Sequence, residues 1–449
     1  MDAEKLSDLG FEILKADELP EKLCHGDVLL NLHGSYFPED AFPTLMKFLE
    51  SGGGLVNFGP LPLQHGCRHT PNGWKAGRKH IFSLRELHIH DAVPTDGELS
   101  GKVICDRRFG LLKGYEHLFK PRKTWHFIMD TTKANLGSDI GDHGPIDALI
   151  HPLLQVVEPD GAPIASSIVF IEHRSGRFSG GRWIFANMDH EDMDSRGIED
   201  LLLKLAVFAA KGARELWCNP NYASFEPGER PSLRFQAEDF KTSAEWKFRY
   251  SVIFEEQEVE TGEIVLPARE GQRTRNVMLS NDYSIGGFYK IRVHAESSDG
   301  EHQVLEQGFI VKDIDVLQKG DFLTCGRDYF IKDGKIMPVV GMTYMAGDFS
   351  RYFLFLPNVS VWMDDFARMK QLGVNMIRTG VWTGWRQMMY VDGHFREEVL
   401  RALDAFIYIG ALYDIEIVFT FFAFTPPLVQ LFCIKSVTKA TVRPIKSHS

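Results

Sequence analysis

Along the chain, apolar and polar positions fall into patterns that change twice. DVLLNL (27–32) is a nearly continuous apolar run, as expected of a strand buried on both faces. In DAFPTLMKFLESGGG, Phe42, Leu45, Met46 and Leu49 recur at helical spacing, and Gly52 supplies a left-handed stop. LVNFGPLP then reads as the next strand, so strand, loop, helix, glycine and strand form the βαβ pattern of a parallel sheet. IASSIVFIEH and WIFANM, joined by RSGRFSGGR, predict a hairpin. RGIEDLLLKLAVFAAKGA predicts a long amphipathic helix capped by Asp194 or Ser195.

After NPNYASFEPGERPS, a Pro/Asn/Ser-rich stretch that reads as a linker, the period shortens to two. SLRFQA, WKFRYSVIF, VETGEIVLP, RNVMLS, GGFYKIRVHA and HQVLEQGFIV alternate, with turn residues between them, and predict an antiparallel sandwich. Tyr289 stands where a late strand of an immunoglobulin-like domain carries its corner tyrosine. From about residue 321 the pattern changes again. FIKDGKIM predicts a hairpin turning at Asp333-Gly334, and PVVGMTYM a buried strand. VSVWMDDFARMKQLG predicts a helix with Trp362, Phe366 and Met369 on one face and Gly373 as its stop. VNMIRTGVW, EEVLRALDAFIYIGALYD and IEIVFTFFAF follow as strand, helix and strand. Three β-α units in a row imply a parallel sheet, open or closed.

The 449 residues suffice for about three domains at roughly 150 residues each. A net charge of -11 argues against a nucleic-acid partner, which would need clustered Lys and Arg. It suits a neutral substrate. The six cysteines are scattered singly, as in a chain that does not depend on disulfides. The N-terminus has no signal-peptide core and no apolar run is long enough for a bilayer, so the expected location is the cytoplasm, with no membrane partner.

GKIMPVVGMTYM, DDFARMKQLGVNMIRTGVWTGW and IEIVFTFFAFTP together resemble the opening of the catalytic barrel in retaining glycoside hydrolases, the clan of β-galactosidases, β-mannanases and cellulases. The helix-to-strand signature of that clan is matched by Met369, Lys370, Gly373, Asn375, Ile377 and Arg378, over about the last quarter of the chain. HGSYFPE…LMKFLESGGGLVNFG resembles the core of the amidotransferase-like, flavodoxin-type α/β domain found beside such barrels. The resemblance implies an α/β multidomain protein: an amidotransferase-like domain over 1–215, an immunoglobulin-like β-sandwich over 219–313, and the first three units of a (β/α)8 TIM barrel over 321–426.

Barrel chemistry sits on the loops after the strands. Those ends carry Tyr344, Asp348 and Phe349, then Arg378, Trp382 and Trp385, then Phe422, Phe424 and Thr425. Aromatic rings at such a mouth suit a sugar, although each could equally cap a barrel core. Arg378 matches the arginine that supports the nucleophile in the clan, and a charge on a buried strand needs a carboxylate partner. The expected substrate-binding or supporting set is therefore Tyr344, Asp348, Arg378, Trp382, Trp385 and Phe424.

Retaining hydrolysis needs two carboxylates about 5–5.5 Å apart. In the clan these are glutamates on strands four and seven, so the resemblance transfers no catalytic residue, and the chain as given is expected to be inactive. Asp364, Asp365 and Asp392 read as surface charges. The alternative function is a non-catalytic scaffold or oligomerisation module, which would make the chain a homo-oligomer.

Other chemistry is poorly supported. An amidotransferase needs its cysteine on a strand-to-helix elbow, and neither Cys67 in QHGCRHTPNG nor Cys105 in KVICDRRFG occupies one. HGCRH (His65, Cys67, His69) and HIHD (His88, His90, Asp91) are short of the ligands zinc requires, and such fragments arise by chance among 17 histidines. DHEDMDSRG lacks the acid of a calcium loop, with Leu203 in its place. No cofactor or metal is expected. The segment 427–449 contains no Asp, Glu or Gly and carries Lys435, Lys439, Arg443 and Lys446; it is expected to be a disordered tail produced by a shifted reading frame or an alternative end.

Overall fold

The computed structural model describes residues 3–23, 27–59, 61–79, 86–94, 99–121, 125–129, 147–188, 192–193, 195–319, 322–347, 352–381, 388–391 and 393–421. It is a mixed α/β, sheet-rich structure of several domains.

The first sheet has six strands in the order Val28–Asn31, Gly54–Phe58, Arg182–Ala186, Pro163–His173, Ala148–Val157, Lys102–Cys105. The predicted βαβ unit is present: Val28–Asn31 and Gly54–Phe58 pair in parallel, with helix Phe42–Glu50 between them in sequence. Gly52 ends that helix at φ +82. The predicted hairpin is also present, Pro163–His173 running antiparallel to Arg182–Ala186. Only Val28–Asn31, Gly54–Phe58 and Arg182–Ala186 run parallel. The rest of the sheet is antiparallel, and Ala148–Val157, Pro163–His173 and Arg182–Ala186 follow one another through short connections rather than crossover helices. Both faces are covered, which explains the apolar runs. Val56, Phe58 and Ile184 pack with Leu201, Leu205 and Phe208 of helix Ile198–Ala210, while Leu55, Trp183 and Phe185 pack with Leu45, Phe48 and Leu49. That last helix begins behind Gly197 at φ +92 with no side-chain cap, so Ser195 is not its N-cap, and Asp194 lies outside the described residues. Its acidic first turn, Glu199 and Asp200, favours the positive end of the helix dipole instead.

All six alternating segments of the middle region form strands. Arg214–Pro220, Ser232–Asp239 and Arg273–Met278 make one sheet. Ser224–Phe225, His302–Val311, Gly287–Ser297, Trp246–Phe254 and Gln257–Leu266 make the other. Leu233 and Phe235 of the first meet Phe248, Val252 and Ile291 of the second in a shared core. The stretch read as a linker is partly built into these sheets, since Asn219 and Pro220 end one strand and Ser224–Phe225 pairs with another. The hydroxyl of Tyr289 donates to the Ile285 carbonyl at 2.9 Å, tying the strand to the turn before it.

In the third region Phe330–Lys332 and Lys335–Met337 form the expected hairpin, turning at Asp333 (φ +50) and Gly334 (φ +70). Gly341–Thr343, Met376–Gly380 and Glu416–Thr420 make an all-parallel sheet in that order. Helices Val359–Gln371 and Glu397–Tyr413 connect them, with Trp362, Phe366 and Phe406 buried against one another. Gly380 is required where it stands: an added Cβ would lie 2.1 Å from the Thr420 carbonyl oxygen. The first strand is exposed along its length rather than buried, because it borders the sheet and, among the described residues, has one strand neighbour. This sheet is joined to the sandwich by polar contacts. Gln307 binds the Pro357 carbonyl and the Val359 amide, and Arg401 clasps Glu229 through both terminal nitrogens.

Candidate functional site

The second strand of the parallel sheet sets out the first candidate site. Ile377 and Thr379 point into the helix layer, so by strand alternation Arg378 points to the opposite, open face, where its side chain is exposed. The expectation of a buried charge there is corrected: Arg378 is exposed although the other four residues of the strand are buried, and its register partner Val418 is exposed as well. Tyr344 follows the first strand. Its amide donates to the Arg378 carbonyl at 2.9 Å, and its own carbonyl accepts from Thr379 Oγ1 at 3.0 Å. Its ring is turned into the helix layer, 5% exposed, between Phe353, Phe366 and Phe406. From there the hydroxyl donates to Asp365 Oδ2 at 2.8 Å. Asp365 is thus not the plain surface charge expected. Burial raises its pKa, and hydrogen bonds from Tyr344 and the Gly347 amide oppose that rise. Asp348, Trp382, Trp385 and Phe424, and the whole segment 427–449, lie outside the described residues.

Cys67 and Cys105 are not poised as nucleophiles. Cys67 lies inside strand His65–Thr70 and Cys105 ends strand Lys102–Cys105, and burial raises the pKa of both thiols. His65 stacks on Tyr36 and His69 meets Trp74 edge-on. His88, at φ +56, sets its edge against Phe178. The side chains of His90 and Asp91 lie outside the described residues. Among the described residues no group of three or more His, Cys, Asp or Glu could hold a metal ion.

Sequence reasoning missed a buried ionic network between the first sheet and the sandwich. Arg182, fully buried, donates to Glu172 at 2.6 Å and through both terminal nitrogens to Glu301 at 3.2 Å. Glu301 also accepts from Arg214 at 2.9 Å, and Arg214 binds Asp299 and lies 3.3 Å from Asp239. Asp239 in turn accepts from Arg273 at 2.5 Å. Burial alone would raise Glu301, but Arg182 and Arg214 hold it below the ordinary glutamate value. Glu172 goes the other way: burial raises it, and Arg182 only partly offsets this. The signal available was a single charge inside each apolar run, Glu172 in IVFIEH and Arg182 in GRWIFA.

Beside this network a cleft of about 530 Å³ opens between helix Ile198–Ala210 and the sandwich. Phe109, Leu111 and Val207 line it on the apolar side, and Lys204, Glu301 and His302 on the polar side. Lys204 lies 5.3 Å from the centre of the Tyr115 ring. Among the described residues no helix is long and apolar enough to cross a membrane.

No family model matches the chain, and no curated protein matches it. Among solved structures, the β-D-mannosidase of Dictyoglomus thermophilum overlays with a TM-score of 0.23 and 15% identity, over 46% of this chain and 24% of that one. The β-glucuronidase of Bifidobacterium dentium gives 0.21 and 11%, over 46% and 30%. The exo-chitosanase CsxA of Amycolatopsis orientalis gives 0.20 and 14%, over 46% and 22%. All three are glycoside hydrolases by name, the overlays are loose, and the chain spans 22–30% of their lengths.

Proposed function

We propose that the chain is a glycosidase-like polypeptide. In this reading residues 321–426 are the first three units of a TIM barrel, behind an amidotransferase-like domain without a nucleophile (1–215) and an immunoglobulin-like sandwich (219–313). One observation carries it. The signature residues Met369, Lys370, Gly373, Asn375, Ile377 and Arg378 lie where a helix ends and the middle strand of a parallel sheet begins, with Arg378 on the open face. Arg378 and the aromatic residues Trp382, Trp385 and Phe424 would face a sugar, and Asp348 would supply a polar contact at the same mouth. Tyr344 would act from behind, fixing the strand ends through its backbone bonds to Arg378 and Thr379.

Retaining hydrolysis needs a pair of carboxylates, and on helix Val359–Gln371 Asp365 is already held by the Tyr344 hydroxyl. The chain itself is therefore proposed to bind saccharides without cleaving them. The test is titration of the purified protein with manno-, cello- and galacto-oligosaccharides, read by tryptophan fluorescence, with aryl β-glycoside turnover followed in parallel. Saturable binding in the millimolar range, abolished by Arg378→Ala combined with Trp382→Ala, and no turnover is the expected result. Absence of binding across the panel overturns the reading, and turnover that survives repurification overturns its inactive form.

A scaffold or oligomerisation role is the second reading. It draws on Val339, Val340, Met342, Val418 and Phe421, apolar residues exposed around the open sheet. Light scattering that shows one monomeric mass across the working concentration range would remove it.

A further inference from the structure

We propose that the cleft of about 530 Å³ between helix Ile198–Ala210 and the sandwich binds a small amphipathic carboxylate, an aliphatic or aryl acid whose anionic end meets Lys204. The volume lies within the roughly 300–1,000 Å³ of small-molecule sites, which favour junctions between domains. Three elements wall it: the loop carrying Phe109, Leu111 and Tyr115, the outer face of the helix, and the turn at 300–302. These walls are tied to one another. The Val304 amide donates to the Arg108 carbonyl at 2.6 Å, fastening the loop to the sandwich. Asp106 braces the same loop, accepting from the Arg108 amide and from Gln155, each at 2.8 Å. Beyond the helix, Lys211 donates to the Asp299 carbonyl at 2.9 Å. A cleft braced in this way loses little freedom when a ligand enters.

The lining selects the ligand. Leu203 and Val207, one helical turn apart, are 39% and 53% exposed, so the cleft leaves apolar side chains in water beside Phe109 and Leu111. An alkyl or aryl group laid there removes that surface from solvent. Glu301, the buried acid of the cleft, is already engaged, its two oxygens accepting from Arg182, Arg214 and Gln303. Lys211 is balanced by Asp299, and His302 shares a hydrogen bond with His294. Asp200 makes no ion pair with Lys204 and lies in the first turn of the helix, where the dipole favours a negative charge. Lys204 is left over: it has no ion-pair partner among the described residues and rests 5.3 Å from the centre of the Tyr115 ring. A carboxylate supplies the charge-assisted bond that this ammonium lacks. No residue of the third region lines the cleft, so the inference does not depend on the glycosidase reading.

The test is calorimetric titration of the full chain with sodium octanoate, with octylammonium as the charge control, for the wild type, Lys204→Met and Val207→Asp. The expected result is one octanoate per chain, with a Kd in the micromolar to submillimolar range. Each variant should bind at least about tenfold more weakly, and octylammonium should not bind. Both replaced side chains are exposed, so urea unfolding curves without octanoate should match that of the wild type. No saturable octanoate binding below about 10 mM overturns the proposal. Wild-type affinity in either variant overturns it too, as does octylammonium binding as tight as that of octanoate.

Discussion

Replacing Arg182 by methionine tests whether the ionic network holds the first sheet to the sandwich. The guanidinium makes charge-assisted bonds to Glu172 and Glu301, donates to the Phe208 carbonyl at 3.2 Å, and lies 4.1 Å from the centre of the Phe208 ring. Methionine fills much of the volume but leaves two buried carboxylates with one fewer cation. Breaking a buried pair in this way costs about 3–5 kcal/mol, against 0–1 kcal/mol for an exposed pair. With a urea slope of about 3 kcal/mol per M, the midpoint should fall by about 1 M or more. Trp183, next in sequence to Arg182, and Trp246, with the Arg214 guanidinium 5.5 Å from its ring, give fluorescence reporters on both sides of the network. A triple variant, Arg182→Met with Glu172→Leu and Glu301→Leu, should recover most of the loss, because an apolar set of similar volume replaces the buried ions. A single-variant cost below about 1 kcal/mol, as expected of a surface pair, would refute the reasoning.

Acid should loosen the same network. Glu301 and Asp299 are both held below their ordinary values, so their contribution is complete above about pH 5 and is lost as pH falls through the lowered values. Glu172, whose value is raised, contributes in the opposite sense, favouring the folded state at low pH and losing that contribution as pH rises. Urea titrations between about pH 6 and pH 3 should show falling stability, less steeply in Glu301→Gln. Gly380→Ala should destabilise the third region by about 1–3 kcal/mol, because its Cβ meets the Thr420 backbone rather than a movable side chain; limited proteolysis read by mass spectrometry should show earlier cutting there, and wild-type resistance would contradict the close approach. Tyr344→Phe should cost about 1–2 kcal/mol and raise Asp365 further, since a hydrogen bond that favours its charged form is lost; an unchanged Asp365 titration by NMR would contradict the contact.

Much of this fold was legible because most segments carry one clear period. Trp246–Phe254 alternates buried and less buried positions as a one-sided strand must, and Trp362, Phe366 and Met369 fall on one helical stripe. Asp333-Gly334 announced its turn through residues that tolerate positive φ. What escaped was decided by partners distant in sequence. Arg182 and Glu172 sit in runs whose apolar character overrode a single charge; they pair with each other, and Glu301, 119 residues beyond Arg182, completes the partners that make the burial of Arg182 tolerable. The exposure of Gly341–Thr343 was likewise invisible, since an apolar run does not reveal whether a second strand will lie beside it. At the candidate site, the apolar run around Arg378 read as a buried strand and hid the exposure of its side chain, and no local pattern marked Tyr344 as turning inward to Asp365.

The network also imposes an order on synthesis. At about 5–20 residues per second, Glu301 is made roughly 6–24 s after Arg182, 119 residues earlier. During that interval the ends of the two central strands that carry Glu172 and Arg182 cannot close dry, because the carboxylate that completes their network is still inside the ribosome or not yet translated. The nascent first region must keep those strand ends wet, or shielded by a chaperone, until the Gly287–Ser297 and His302–Val311 hairpin emerges. A recombinant fragment cut at residue 215 would be held permanently at that stage, so a soluble N-terminal piece should extend at least through Val311.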